Sequence, residues 1–285
     1  MHNLDPWELK YLDGVAYADA LPWSDEHAYK FYPEFNWVYN KQILSAYTKN
    51  MAHELSLELP RHSEYPVIVK PKVNLLGMGR AAKVCYSESM LPEDRKGLIW
   101  QKYLRGLHTS TDYVLEYGRV LAQFAFIGAK DKNDSFLLFA STPLSHSLPP
   151  RLLKDLANYR GVLNAEYIGG SLIEAHLRPS VQFFDICGGL LPQLGTWTVT
   201  GKLKPVRYEQ TYSRVYRQKK DAILKLRDMP ALPIGVRSYQ LCWEEGERLS
   251  SYAQDEHSYR VLVVNGSNLG AVSSYGKRLM ENIND

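Results

Sequence analysis

Apolar and polar positions lay out a chain that is mostly strand in its middle and mixed at its ends. Residues 1–39 are dense in Trp, Tyr and Pro without a clear period, which predicts a strand or two wrapped on a larger body. Between Asn40 and Glu54, Ile43, Leu44, Tyr47 and Met51 recur at helical spacing, so an amphipathic helix is expected with Lys41 near its start. Tyr65-Pro-Val-Ile-Val-Lys70-Pro71 reads as a buried strand with a lysine at its exit, followed by a turn bearing Gly77 and Gly79 and a second strand through Lys83. Residues 88–97 are polar and suggest a short helix or loop, and Leu98 to Gly106 reads as a strand that becomes a linker. Strands are predicted from His108 to Ala125, turning at Tyr117-Gly118, and from Ser135 to Ser141. A helix over 151–159 leads into a hairpin. Further on, Tyr208, Tyr212 and Tyr216 fall at i, i+4 and i+8, which predicts a helix within 201–228. Strands at 236–243 and 259–264 and a helix over 273–283 close the pattern.

The hairpin is the informative stretch. In its second strand Ile173, Ala175 and Leu177 are apolar while Glu174, His176 and Arg178 are polar, the period of a strand with one buried face. A two-residue Gly169-Gly170 turn pairs Ile168 with Ser171 and sends Glu166 and Glu174 to opposite faces. A three-residue loop pairs Ile168 with Leu172 and sets Glu166 across from Glu174. In that register two carboxylates, an imidazole and a guanidinium line one surface, and facing carboxylates repel unless a cation lies between them. A divalent metal site is one reading; a solvated hairpin face is the other.

Composition narrows the classes. Apolar content of 45% and charged content of 23% describe an ordinary globular protein, and 285 residues can bury one large core or two. A net charge of +3 is too small to argue for nucleic acid, although residues 201–228 hold nine Lys/Arg against three Asp/Glu. Those residues are read as a helix whose tyrosines dock on a sheet and whose lysines face water, in preference to a nucleic-acid surface. Asn265 to Gly270 could cradle an anion ahead of the last helix, or simply turn the chain. Cys85, Cys187 and Cys242 are far apart and odd in number, so no disulfide framework is expected. The amino terminus lacks a signal-peptide pattern, and no apolar run approaches the roughly 20 residues of a membrane span. A cytoplasmic protein without membrane contact is the expectation. Lys70, at the exit of an apolar strand, calls for an anion, because burying an unmatched ammonium is costly.

The order of these elements resembles the ATP-grasp superfamily over about residues 38–188, and within it the biotin carboxylase and carbamoyl phosphate synthetase branch of carboxylate ligases. Lys41 resembles the family's first phosphate lysine, and Lys70, in Val-Ile-Val-Lys-Pro, its second. Gly77-Met78-Gly79 sits where a glycine-rich flap covers the phosphates. Gln101-Lys102-Tyr103-Leu104 is similar to the family's E-K-Y-L segment along adenine, with glutamine for glutamate, and His108 to its ribose-side histidine. Glu166 and the run Glu174-Ala-His176-Leu-Arg178 resemble the metal pair, one glutamate followed by E-x-N-x-R.

The resemblance implies an α+β ATP-grasp fold in which two α+β subdomains clamp ATP. It implies a short leader over 1–39, a small subdomain over 40–104, a large subdomain with the metal hairpin over 105–200, and an extension over 201–285. The implied function is an ATP-dependent carboxylate ligase that forms an acyl phosphate and passes it to an amine or thiol. ATP, Mg²⁺, and small-molecule carboxylate and amine substrates are its implied partners. Lys41, Lys70, Gly77, Met78, Gly79, Gln101, Lys102, Leu104 and His108 would bind ATP. Glu166, Glu174 and His176 would hold the metal, and Arg178 with Lys70 would serve catalysis.

Two departures qualify this. His176 stands where the family has an asparagine oxygen, which favours Mn²⁺ if the imidazole is a ligand. The family's front domain is short or absent, which points to a homodimer supplying its role. Both departures also fit a nucleotide-binding regulatory protein without turnover, and a nucleic-acid-binding module centred on 201–228 is the third alternative.

Overall fold

The computed structural model describes residues 9–73, 75, 81–130, 136–180, 189–205, 207–252 and 258–284. In chain order its regular elements are α1 (Asp25–Phe31), α2 (Lys41–Ser45), β1 (His53–Glu54), β2 (Val67–Pro71), β3 (Lys83–Cys85), β4 (Leu98–Lys102), β5 (His108–Glu116), β6 (Arg119–Lys130) and β7 (Phe136–Thr142). They continue with α3 (Pro150–Asp155), β8 (Arg160–Ile168), β9 (Ser171–His176), α4 (Leu191–Thr200), β10 (Tyr212–Gln218), β11 (Lys225–Leu226), β12 (Val236–Leu241), β13 (Tyr259–Gly266), α5 (Leu269–Asn282) and β14 (Ile283–Asn284). The chain forms two compact units, one from residues 24–123 and 146–179, the other from 1–23, 124–145 and 180–285.

The first unit carries two antiparallel sheets. The smaller runs β1-β4-β2-β3, and Val67 and Val69 of β2 pack with Leu55, Cys85, Leu91 and Trp100. In the larger, β8 pairs with β5 on one side and β9 on the other. Register sorts its two faces. Tyr113, Leu115, Leu163, Ala165, Tyr167, Leu172 and Ala175 join a core with Tyr32, Phe35, Tyr39, Leu152 and Tyr159. The opposite face carries Ser110, Asp112, Asn164, Glu166, Glu174 and His176, with Ser110 across from Glu166 and Asp112 across from Asn164. Two glycines bring the linker after β4 against the hairpin turn. A side chain on Gly106, at φ +135°, would reach within 2.8 Å of the Gly169 Cα.

In the second unit β10 lies between β7 and β13, and β12 flanks β13. Leu262, Val264, Val272, Tyr275 and Leu279 form its core beneath α5. Asn268 caps α5 by accepting from the Ala271 N–H at 2.9 Å.

Three expected elements differ. The described residues before Tyr39 are helical turns and α1, because Ser24 caps α1 by accepting from His27 N–H, with Asp25 and Glu26 in its first turn. The helix expected over Asn40–Glu54 stops at Ser45. Its hydroxyl donates to Gln42 O at 2.7 Å and accepts from Ala52 N–H at 2.9 Å, so side-chain bonds replace the helical ladder. The helix expected within 201–228 is the strand β10. A spacing of four places residues on one face of a helix and also on one face of a strand, and Thr211 and Val215 favour the second. The basic, tyrosine-runged helix for nucleic acid is therefore not formed.

Candidate functional site

The β8–β9 hairpin combines the two registers considered from sequence. Gly169-Gly170 make a two-residue turn with Ile168 opposite Ser171, and Tyr167 pairs with Leu172. An irregularity then inserts Ile173, so Glu166 lies opposite Glu174, Ala165 opposite Ala175 and Asn164 opposite His176. The carboxylates face each other through a bulge, not through a longer loop.

Both lysines reach this hairpin. The Lys41 backbone N–H donates to Lys72 O at 2.9 Å, tying the start of α2 to the exit of β2. From there the Lys41 ammonium, 6% exposed, meets Glu174 Oε1 at 2.8 Å. Lys70 donates to Ile173 O, the bulge residue, at 3.3 Å. Burial pulls the Lys70 ammonium down to about 8, Glu174 and Glu166 opposing the shift and Lys41 adding to it.

Glu166 is met by His108 Nε2 at 2.9 Å. Burial raises its carboxyl, but the His108 hydrogen bond and the charges of His108, His176 and Arg178 outweigh that and hold it at about 2. Deeper on the same face the Asn164 amide donates to Asp112 Oδ1 at 2.7 Å and to Ser110 Oγ at 2.9 Å.

At the end of β9 stands Asp25, whose only mark in the sequence is a place at a helix start. It is buried, accepts from Arg178 Nε at 3.0 Å and Nη2 at 2.9 Å, and meets His176 Nδ1 at 3.0 Å. The Tyr39 hydroxyl donates to it at 3.4 Å and accepts from the Leu177 N–H at 3.1 Å. Burial would raise the Asp25 carboxyl, but Arg178 and His176 prevail and hold it far below the usual carboxylate range. Burial disfavours a charged His176, yet Asp25 outweighs this and the imidazole shifts upward. The other nitrogen, Nε2, points toward Glu174, 3.9 Å from Oε1.

The hairpin thus gathers Lys41, Lys70, His108, Glu166, Glu174, His176 and Arg178, with Asp25, Asp112 and Asn164 added. Gln101 is buried and its amide donates to Asn50 O at 2.7 Å, while Lys102 is exposed and Leu104 half-buried. Gly77, Met78 and Gly79 lie outside the described residues. Among the described residues no three His, Cys, Asp or Glu side chains form a metal cage of their own. Two opposed carboxylates are still the right chemistry for Mg²⁺, which takes one or two carboxylates and fills its shell from phosphate and water.

No protein-family model and no curated protein sequence matches the chain. Solved structures do. Pyruvate carboxylase of Rhizobium etli, in a structure with acetyl coenzyme-A, matches with TM-score 0.66 at 16% identity over 88% of this chain and 27% of that one. Biotin carboxylase of Campylobacter jejuni, in a complex with β-γ-ATP, matches with TM-score 0.63 at 14% identity over 93% and 74%. The L-amino acid ligase of Bacillus licheniformis matches with TM-score 0.55 at 12% identity over 87% and 72%. The chain therefore spans about a quarter of the pyruvate carboxylase chain and about three quarters of the other two. At these identities what is shared is the architecture: an α+β protein with antiparallel sheets, whose fold is ATP-grasp and resembles that of biotin carboxylase.

Proposed function

We propose that the protein is an ATP-dependent carboxylate ligase. The observation that carries this reading is the meeting of Lys41 and Lys70 with the opposed Glu166 and Glu174 at one partly buried point of an ATP-grasp fold. Lys41 and Lys70 would neutralise the phosphates of ATP, Gly77, Met78 and Gly79 would be further ATP-binding residues as the resemblance implies, and Gln101, Lys102 and Leu104 would lie along adenine with His108 toward the ribose. Glu166 and Glu174, with His176 beside them, would hold Mg²⁺ or Mn²⁺, which supplies charge neutralisation when bound. The γ-phosphoryl moves to a carboxylate oxygen, releasing ADP. An amine or thiol then attacks the acyl carbon and phosphate leaves. Such chemistry needs positioning and neutralised charge, not a covalent enzyme group. Arg178 would steady the substrate carboxylate only by exchanging it for Asp25, which now holds its guanidinium edge.

ADP release measured across a panel of carboxylic acids, each offered with amines and thiols, tests this. The expected result is ADP formation that requires both partners. Tight ATP binding without ADP release from any pair would favour a nucleotide-binding protein without turnover. That second reading draws on the internal partners already seated on both glutamates, the Lys41 ammonium on Glu174 and the His108 ring on Glu166. A homodimer remains part of the proposal. Within the aromatic-rich residues 7–39, whose apolar surface such a dimer would cover, Tyr17 and Phe31 are exposed, while Tyr32, Phe35 and Tyr39 are buried in their own unit.

A further inference from the structure

We propose that the run Arg227-Asp-Met-Pro230-Ala-Leu-Pro233 is a docking ridge for a partner protein with an SH3-type groove, one lined by aromatic side chains and carrying carboxylates at the end that meets Arg227. The ridge lies wholly in the second unit and stands independently of the ligase reading.

Proline chemistry sets the backbone of this run. Each ring holds φ near about −65° at Pro230 and Pro233, and each crowds the residue before it, Met229 or Leu232, out of the helical region. Met229, Pro230, Leu232 and Pro233 are therefore biased toward extended, polyproline-like backbone. Neither helix nor strand forms between the end of β11 at Leu226 and the start of β12 at Val236. At about three residues per turn, Arg227, Pro230 and Pro233 share one edge of such a backbone, and Met229 and Leu232 share the next. A proline-recognition groove reads two such edges. Its aromatic pockets take the apolar–proline pairs Met229-Pro230 and Leu232-Pro233, and a carboxylate pairs with an arginine one turn away.

The run is held by its backbone and displayed by its side chains. Arg227 N–H donates to Asn282 O at 3.0 Å and the Asn282 amide donates to Asp228 O at 3.1 Å, which ties its start to the end of α5. Further along, the Tyr275 hydroxyl donates to Pro230 O at 2.7 Å and Val236 N–H to Pro233 O at 3.1 Å. The Tyr239 hydroxyl donates to Met229 Sδ. Even so, Met229 is 57% exposed and Leu232 47%, Arg227 is exposed, Ile234 just beyond is fully exposed, and both prolines are half-buried. Clustered apolar side chains kept in water mark an interaction surface. With the backbone already ordered, docking costs little conformational entropy. An apolar patch alone would suit many partners; the proline register and the arginine at its head select this groove.

The test titrates the full-length protein into ¹⁵N-labelled SH3 domains, chosen from those that take arginine-first proline ligands, and follows the shifts of their groove residues. A synthetic peptide of residues 225–236 is run beside it. The full-length protein is expected to bind through the aromatic groove. Pro230→Ala should weaken that binding about tenfold or more. Arg227→Glu should weaken it at least as much and abolish its salt dependence. The alanine variant keeps the carbonyl that Tyr275 holds; if it loosens the run, Arg227→Glu, at an exposed position, reads the same contact. Binding by the peptide but not by the full-length protein overturns the proposal, since the run is then only a packing strap. No binding by either, or binding that both substitutions leave unchanged, overturns it as well. Self-association of the full-length protein that Leu232→Ser abolishes, without groove binding, assigns the ridge to a second copy and overturns it too.

Discussion

The β8–β9 hairpin and the β10–β13 pair are both antiparallel, and each sets polar side chains two residues apart along a strand. In β10, Arg214 Nη1 donates to Ser273 Oγ at 2.8 Å and lies over the Tyr216 ring, whose hydroxyl donates to Ser273 O at 2.9 Å. The Ser273 hydroxyl, the Tyr216 ring and the Ser273 carbonyl are all neutral, and the result is a strand pinned to α5. In the hairpin every such contact is made on a buried or half-buried carboxylate: the Lys41 ammonium on Glu174, the His108 ring on Glu166, and the Arg178 guanidinium with His176 on Asp25. Burying ion pairs is a poor way to gain stability, since desolvation consumes most of the attraction. Where charges of both signs are nonetheless concentrated, a ligand that exchanges with them is the physical explanation, and perturbed ionisation follows. Alternation alone does not separate the two regions; the charge of what each residue meets does.

The comparison breaks most visibly at Glu174. Glu174→Gln removes the partner of Lys41 and one of the two carboxylates proposed to hold the metal. Losing neutralisation of the transferring phosphoryl group should slow ADP release about a thousandfold or more. Steady-state assays with saturating metal check this, and an unchanged rate would place the hairpin in the same class as β10.

Lys70→Met comes next. Removing the ammonium proposed to face the phosphates should weaken ATP binding in calorimetry by about a hundredfold, or roughly 2.7 kcal/mol. Lys70 also makes two opposite pH dependences. Its ammonium is present below about 8 and lost above it, so ATP affinity should fall as pH rises through that value. Its folded pKa lies below the ordinary 10.5, so between about 8 and 10.5 the unfolded chain binds more protons than the folded one. The stability contribution of this group therefore rises with pH across that window. Urea midpoints of wild type and Lys70→Met from pH 7 to 10.5 should converge as pH rises. Parallel curves would mean that Lys70 bears no such strain.

How legible was all this in the sequence? Period-two stretches such as Leu172–Leu177 announced their strands, and the order of Lys41, Lys70, Glu166 and Glu174 announced the fold. The opposition of the two glutamates followed only if the loop took a third residue, whereas the chain used a bulge at Ile173, which no turn signal encodes. Asp25 was invisible for a different reason. It belongs to α1, 151 residues ahead of His176, and nothing local marks a helix-start aspartate as buried. The tyrosines at 208, 212 and 216 misled because a step of four is even and also spans about one helical turn. Thr211, Ser213 and Val215, buried on the alternate face, decide for the strand.

The smallest expected effect is the one that calibrates the others. Tyr216→Phe deletes a single hydroxyl that donates to the Ser273 carbonyl at 2.9 Å, with the Val272 carbonyl a weaker partner at 3.5 Å, both in the first half of α5. The ring stays in place, with Gly276 packed against it so closely that a side chain at that glycine would collide with the ring. No cavity opens and no charge is stranded, so the loss is that of one neutral hydrogen bond, about 1 kcal/mol. Ser273 O belongs to a helix and retains its ladder, which keeps the figure from rising further. Thermal unfolding should register the change, while ATP affinity stays at its wild-type value. If Tyr216→Phe instead shifts ATP affinity as Lys70→Met does, the division between a charged ligand face and a neutral packing face fails, and β10 belongs to the site as much as β9 does.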